Sequence, residues 1–315
     1  MEQRKELMDE IRTLGMVLHP LRDSVEAVNT ILDWAATRGV TVLGIAEGVG
    51  RLGCTAVSVT AATMAARADL LVALGGDGTV LRAMRLSDHH RAPVLGVNLG
   101  KLGFLAEVDI PDLPAALTAI GEGNYQIEVR AALDAVVGCQ KFTAFNDIVV
   151  VRVPGEGPAV VDLSVEGHHF ASYSADGVIV ATPTGSTAYN FSAGGPIVAP
   201  SVPGIVVTPS SPHSVFNRSI MVDHRHSLSL GILPPSERLA VEVDGAVAAY
   251  VTAGDNIAVT ARPEAAKVVR LGRTTFYQRA QRKLRLASST GLEMPPLPDG
   301  PAESSMTPRG HQSIT

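Results

Sequence analysis

Apolar residues in the first part of the chain follow two alternating rhythms. Short unbroken runs at residues 14–18, 40–45, 70–74 and 93–97 read as strands. Between the first two, Val25, Val28, Ile31, Leu32 and Ala35 recur at helical spacing, with Asp23-Ser24 placed to cap the helix and Gly39 to stop it. Further helices are predicted over residues 61–68, 79–86 and 109–121. The run 70–74 is apolar at every position, a pattern that suits a strand covered on both faces. Strands that alternate with helices in this way predict a parallel sheet with helices packed against it.

The pattern changes near Gly123. Alternating runs then dominate, at residues 127–137, 142–152, 160–165, 178–180, 228–232, 240–243 and 256–259, with turn signals at Glu166-Gly167, Asp244-Gly245 and Gly254-Asp255. The expected organisation is an α/β N-terminal domain with a Rossmann-like parallel sheet over residues 1–123, followed by a mostly antiparallel β C-terminal domain over 124–287. Residues 288–315 are rich in Pro, Ser and Gly and are expected to be a disordered tail.

Composition narrows the class. The chain is 46% hydrophobic and 18% charged, as a globular protein with a substantial core should be. A net charge of -5 lacks the basic footprint of a nucleic-acid binder. No apolar run reaches the ~18 residues of a membrane-spanning helix, and residues 1–10 are too charged for a signal peptide. Cys54 and Cys139 fit no metal-ligand spacing. These features predict a cytoplasmic protein with no membrane and no nucleic-acid partner.

Three stretches carry candidate chemistry. The run 70–74 ends in Gly75-Gly76-Asp77-Gly78-Thr79 ahead of a helix. Backbone N–H groups and a helix N-terminus there suit a phosphate, and the glycines permit positive φ or a close ligand. No lysine follows to hold a β- or γ-phosphate, and Asp77 would repel one unless it has another task. Asp77 therefore reads as a general base for a hydroxyl nucleophile, a partner of a metal ion, or a helix cap in a glycine turn. Residues 182–192 crowd Thr182, Thr184, Ser186, Thr187 and Ser192 around Tyr189. Such a segment suits the hydroxyls and base of a nucleoside, or is a solvated loop. Asn146-Asp147 interrupts an apolar strand and needs partners, either a ligand or a strand-end turn.

Together these stretches resemble the NAD kinase family, enzymes that use ATP or polyphosphate to phosphorylate the adenosine ribose 2′-hydroxyl of NAD. The matching motifs stand here as residues 75–79, the loop Asn98-Leu99-Gly100-Lys101-Leu102-Gly103-Phe104-Leu105, the pair Asn146-Asp147, and residues 182–189. The resemblance covers residues 13–285. It implies that Asp77 takes the 2′-hydroxyl proton, that Gly78 lies beside it, and that Arg82 meets phosphate. Asn146 and Asp147 would hold a ribose. Asp176 and the run Thr187, Ala188, Tyr189, Asn190, Phe191 and Ser192 would bind the rest of NAD, with Tyr189 on a base. Phe104 would line the pocket or serve the core. A divalent ion, Mg²⁺ by this resemblance, would ride on the donor phosphates, with no protein metal ligand assigned. The family also implies a homodimer or homotetramer built through the β domain. Asp147 stands where glutamate is commoner, and so reaches less far. A lipid kinase sharing the Gly-Gly-Asp-Gly-Thr loop and a non-catalytic NAD(P)-binding regulator are the rival readings.

Overall fold

The computed structural model describes residues 11–90, 92–100 and 103–284. The expected tail over 288–315 lies outside them. Among the described residues the strands form two sheets, one of twelve strands and one of six.

One end of the larger sheet is parallel. Its strands Val57–Val59, Thr41–Ile45, Thr13–Leu18, Leu70–Gly75 and Val94–Asn98 lie side by side in that order. The period-2 alternation of a strand explains the unbroken apolar run. Leu70, Val72 and Leu74 face a cluster with Trp34, Leu113 and Leu117 from the helices Val25–Arg38 and Leu113–Gly121. Leu71 and Ala73 face the other way, onto Met64, Val80 and Met84 from Ala61–Arg67 and Asp77–Ser87. The first helix ends as its sequence predicts, on Gly39 in the left-handed region at φ 68°. Helices Ala46–Leu52 and Phe276–Leu284 were not evident in the apolar periodicity.

The rest is mostly antiparallel. The six-stranded sheet runs Ile220–Asp223, Gly204–Ser210, Gly177–Ala181, Asp147–Arg152, Leu239–Val243 and Ala246–Val251. Its inner residues, among them Ile148, Val150, Val178, Val180 and Val207, pack on Leu133, Val161, Leu163, Leu230 and Ile257 of the larger sheet. Two long strands, Gln126–Val137 and Asn256–Arg270, tie the halves together. The second pairs in parallel with Val94–Asn98 through Val268 and Val94, so antiparallel and parallel regions share one sheet. From there the chain turns back over the α/β half as the terminal helix Phe276–Leu284. No described helix is long and apolar enough to cross a membrane.

Candidate active site

The strand Leu70–Gly75 delivers Asp77 to the mouth of the parallel sheet, at the carboxyl ends of its strands. Close approach dictates the first of the glycines. A Cβ at Gly75 would fall 2.1 Å from the Thr79 hydroxyl oxygen. Positive φ is not their reason: Gly76 is extended at φ -94°, and the left-handed glycines lie elsewhere. Gly76 is the N-cap, and Asp77 is the first helical residue, with no capping hydrogen bond from a side chain.

The Asp77 carboxylate instead faces the loop after Val94–Asn98. Its Oδ2 accepts from the backbone N–H of Phe104 at 3.0 Å, and its Oδ1 from that of Leu105 at 3.0 Å. Gly103 must be glycine here, since a Cβ would lie 2.1 Å from Oδ1. The Lys283 ammonium of the terminal helix completes the set, 2.9 Å from Oδ2. Phe104 is buried, and its ring carries Lys283 at 4.5 Å. The part of Phe104 that serves Asp77 is its backbone.

The loop is itself clamped. Glu107, whose side chain is fully buried, accepts from Arg270 and Arg279 at 3.0 Å each and from the Leu271 N–H at 2.9 Å. Arg270 also donates to the Leu105 carbonyl at 3.0 Å and to Glu128. Burial raises the Glu128 carboxyl, but Arg130 and Arg270 outweigh it and hold it below its usual range. Burial, and then Arg270, push the Arg130 guanidinium down to about 9. Arg130 reaches Thr184 at 3.4 Å, so the cluster connects the Asp77 loop to the threonine-rich segment.

On the other side of the helix start lies a basic recess of about 180 Å³, lined by His19, Pro20, Arg22, Gly76, Gly78, Thr79 and Arg82. Arg82 donates to the Leu18 carbonyl, and its Nε and the Nη1 of Arg22 have no protein partner. Burial, and then Arg22, Arg82 and Arg51, hold the His19 imidazole below its usual range. A helix N-terminus with unpaired guanidinium donors is suited to phosphate oxygens. Gly78 has nothing within 4 Å of where a Cβ would be and leaves this face bare.

The Asn146-Asp147 pair is organised by a residue that reads in sequence only as a turn. Asp244 accepts from the backbone N–H groups of Phe145, Asn146 and Asp147 at 3.0, 2.6 and 3.1 Å, and from Arg85 of the Asp77 helix at 2.6 Å. The threonine-rich segment packs on the same turn. Thr182 donates through its N–H to the Asn146 carbonyl at 2.8 Å and through its hydroxyl to that of Phe145 at 2.7 Å. Asp147 is buried, and burial, with Asp244 and Glu242 nearby, pushes its carboxyl up to about 7, against a hydrogen bond from the Tyr189 N–H.

Of the segment expected to bind NAD, Tyr189 and Phe191 expose large apolar faces, and Ser192 is also exposed. Thr187 and Ala188 are half-buried. Asn190 differs from expectation. Its side chain is wholly buried, donating to the Ser186 and Pro196 carbonyls at 3.0 Å each and accepting from Thr208 at 2.6 Å. Its amide holds the loop, so only its backbone can meet a ligand. Asp176 also stands apart within this chain. It precedes the strand Gly177–Ala181, whose far end pairs with Asp147, so roughly 16 Å of strand separates them. It pairs with Arg152 at 2.5 Å, which holds its carboxyl below the usual range.

Fold and loops together define a kinase built around a Gly-Gly-Asp-Gly-Thr turn. Residues 14–125 match the ATP-NAD kinase N-terminal domain family and residues 145–271 the ATP-NAD kinase C-terminal domain family. An NAD kinase of Moorella thermoacetica is 35% identical over 311 residues, covering 97% of this chain and 100% of the relative. One of Desulforamulus reducens is 34% identical over 281 residues, covering 87% of this chain and 98% of the relative. The chain belongs to the NAD kinase family of phosphotransferases. The fold is that of a yeast NADH kinase solved with NADH, at TM-score 0.81 and 24% identity over 91% of each chain. An Archaeoglobus fulgidus NAD kinase solved with ATP aligns at TM-score 0.70 and 22% identity over 87% of this chain and 98% of that one.

Proposed function

We propose that this chain transfers the γ-phosphoryl group of ATP to the 2′-hydroxyl of the adenosine ribose of NAD, with Asp77 as the base. The observation that carries this reading is the position of the Asp77 carboxylate. It stands at a helix N-terminus beside the basic recess, and the same helix is tied through Arg85 to Asp244 and so to the Asn146-Asp147 turn.

The donor phosphates lie over the N-terminus of the Asp77 helix, where Arg22 and Arg82 meet their charge. NAD lies in the crevice between the two halves, its ribose at Asn146 and Asp147 and a base on Tyr189. Asp77 accepts the 2′-hydroxyl proton as the oxygen attacks phosphorus. The Phe104 and Leu105 N–H groups fix the direction of that carboxylate. Catalysis of this kind is mostly positioning and charge stabilisation. Among the described residues no three His, Cys, Asp or Glu side chains gather to hold a metal ion. A divalent ion fits this site as a passenger on the triphosphate, where it supplies charge neutralisation.

The test is NADP formation by purified protein with NAD and, in parallel, ATP or polyphosphate as donor. NADP from ATP supports the reading. Turnover with polyphosphate alone overturns the donor, and no NADP from either overturns the whole.

A further inference from the structure

The Gly-Gly-Asp-Gly-Thr loop has no lysine of its own to meet the donor phosphates. The fold brings one from the far end of the chain. The terminal helix Phe276–Leu284 places Phe276, Arg279, Ala280 and Lys283 at i, i+3, i+4 and i+7, one face of a helix. That face lies along the Asp77 loop. Phe276 stacks near Phe104 with ring centroids 6.5 Å apart, Arg279 holds buried Glu107 at 3.0 Å, and Lys283 reaches Asp77 at 2.9 Å.

The contact does little for stability. Lys283 and Asp77 side chains are 32% and 27% exposed, and ion pairs so open to water contribute ~0–1 kcal/mol. Arg279 and Phe276 already anchor the helix. Lys283 instead puts a cation where the reaction needs one. An ionised carboxylate has about four acceptor positions. In Asp77 the Phe104 N–H and Lys283 share Oδ2, whereas Oδ1 holds only the Leu105 N–H. Oδ1 therefore keeps an unused acceptor position for the substrate hydroxyl, which the absence of a side chain at Gly103 leaves uncovered. An oxygen hydrogen-bonded there, with phosphorus in line at roughly 3–3.5 Å, leaves the phosphoryl oxygens within one side-chain swing of the ammonium.

We propose that Lys283 is a catalytic residue that contacts the transferring phosphoryl group, passing from Asp77 to its non-bridging oxygens when both substrates are bound. The proposal rests on the NAD kinase reading of Asp77. In the step, the 2′-oxygen gives its proton to Asp77 and forms the new O–P bond. The bond from the γ-phosphorus to its bridging oxygen breaks, and ADP leaves with the electron pair. Lys283 stays protonated throughout and offsets charge on the oxygens that Asp77 would otherwise repel.

The experiment compares wild type, K283M and K283R in NADP formation, with kcat and the KM for each substrate determined separately and Tm measured alongside. K283M is expected to lower kcat by ~10²–10³, the usual effect of removing one preorganised donor to transition-state charge. Its KM for NAD should stay within a few-fold and its Tm within a few degrees. K283R keeps the charge and should recover at least tenfold of the lost kcat. A K283M kcat within threefold of wild type overturns the proposal while leaving the base assignment standing. So does a loss that K283R fails to reduce, or one that falls on KM alone. Wild type that forms no NADP overturns the kinase reading, and the lysine's role with it.

Discussion

At the scale of single residues, two carboxylates are held in opposite conditions. Asp77 is ringed by donors: two backbone N–H groups and an ammonium. Asp77→Asn cannot take a proton and also turns an NH₂ toward one of those donors. The expected outcome is a kcat lower by ~10²–10⁴, with a stability loss of ~1–3 kcal/mol from the mispaired N–H. Kinetics and thermal melting of the same preparation check both, and turnover within a few-fold of wild type removes Asp77 as base. Asp147 is buried near other carboxylates, its own pushed up to about 7 from an ordinary 3.8. A carboxyl raised in the folded state holds its proton where the unfolded chain has released it. Its contribution to stability is full below pH ~4 and is lost as pH rises through 7. Asp147→Asn removes that loss. The variant and wild type should melt together near pH ~4, and the variant should melt higher than wild type at pH ~8. Equal melting temperatures at both pH values would contradict the burial argument.

At the scale of elements, the loop around Phe104 owes its position to an ionic cluster, three arginines (Arg130, Arg270 and Arg279) against Glu107 and Glu128. Glu107→Gln leaves two buried guanidinium groups short of their counter-charge. A loss of roughly 3–5 kcal/mol in denaturant unfolding is expected, with a fall in kcat as Phe104 and Leu105 loosen around Asp77. A loss under ~1 kcal/mol would mean the cluster does not hold the loop. None of this cluster is legible in the sequence. Its members are 163 residues apart between Glu107 and Arg270, and no spacing rule relates them. What was legible is local. The run 70–74 announced a strand buried on both faces, the glycines and Asp77 announced its end, and the threonine-rich stretch announced a shaped loop. Strands such as His168–Ala175 escaped because much of that strand is exposed, so its apolar alternation is weak. The turn Asp244-Gly245 was visible, but its second task was not, because that task depends on Arg85 and the Asn146 turn arriving from elsewhere.

At the scale of the molecule, the two halves are joined covalently by long strands and electrostatically by Arg85 and Asp244. The α/β half covers its sheet on both faces with helices. The β half does not. Its strands Ile220–Asp223, Ala246–Val251 and His168–Ala175 end their sheets with no further strand among the described residues. Unpaired edges invite pairing with another chain unless charge, proline or a covering element blocks them. Large apolar side chains stand on or next to these edges: Phe170 is 50% exposed, Tyr250 58% and Val247 54%, while Phe216 packs edge-on against Phe170. Exposed apolar side chains along an unpaired strand edge suit association with another chain. The protein is therefore expected to be a dimer or tetramer joined through its β half. Light scattering at micromolar concentration should give two or four times the chain mass. Phe170→Glu together with Tyr250→Glu should lower that mass without unfolding the protein, since both side chains already face water within one chain. A monomer mass for wild type, or an unchanged oligomer in the double variant, would place the contact elsewhere or remove it.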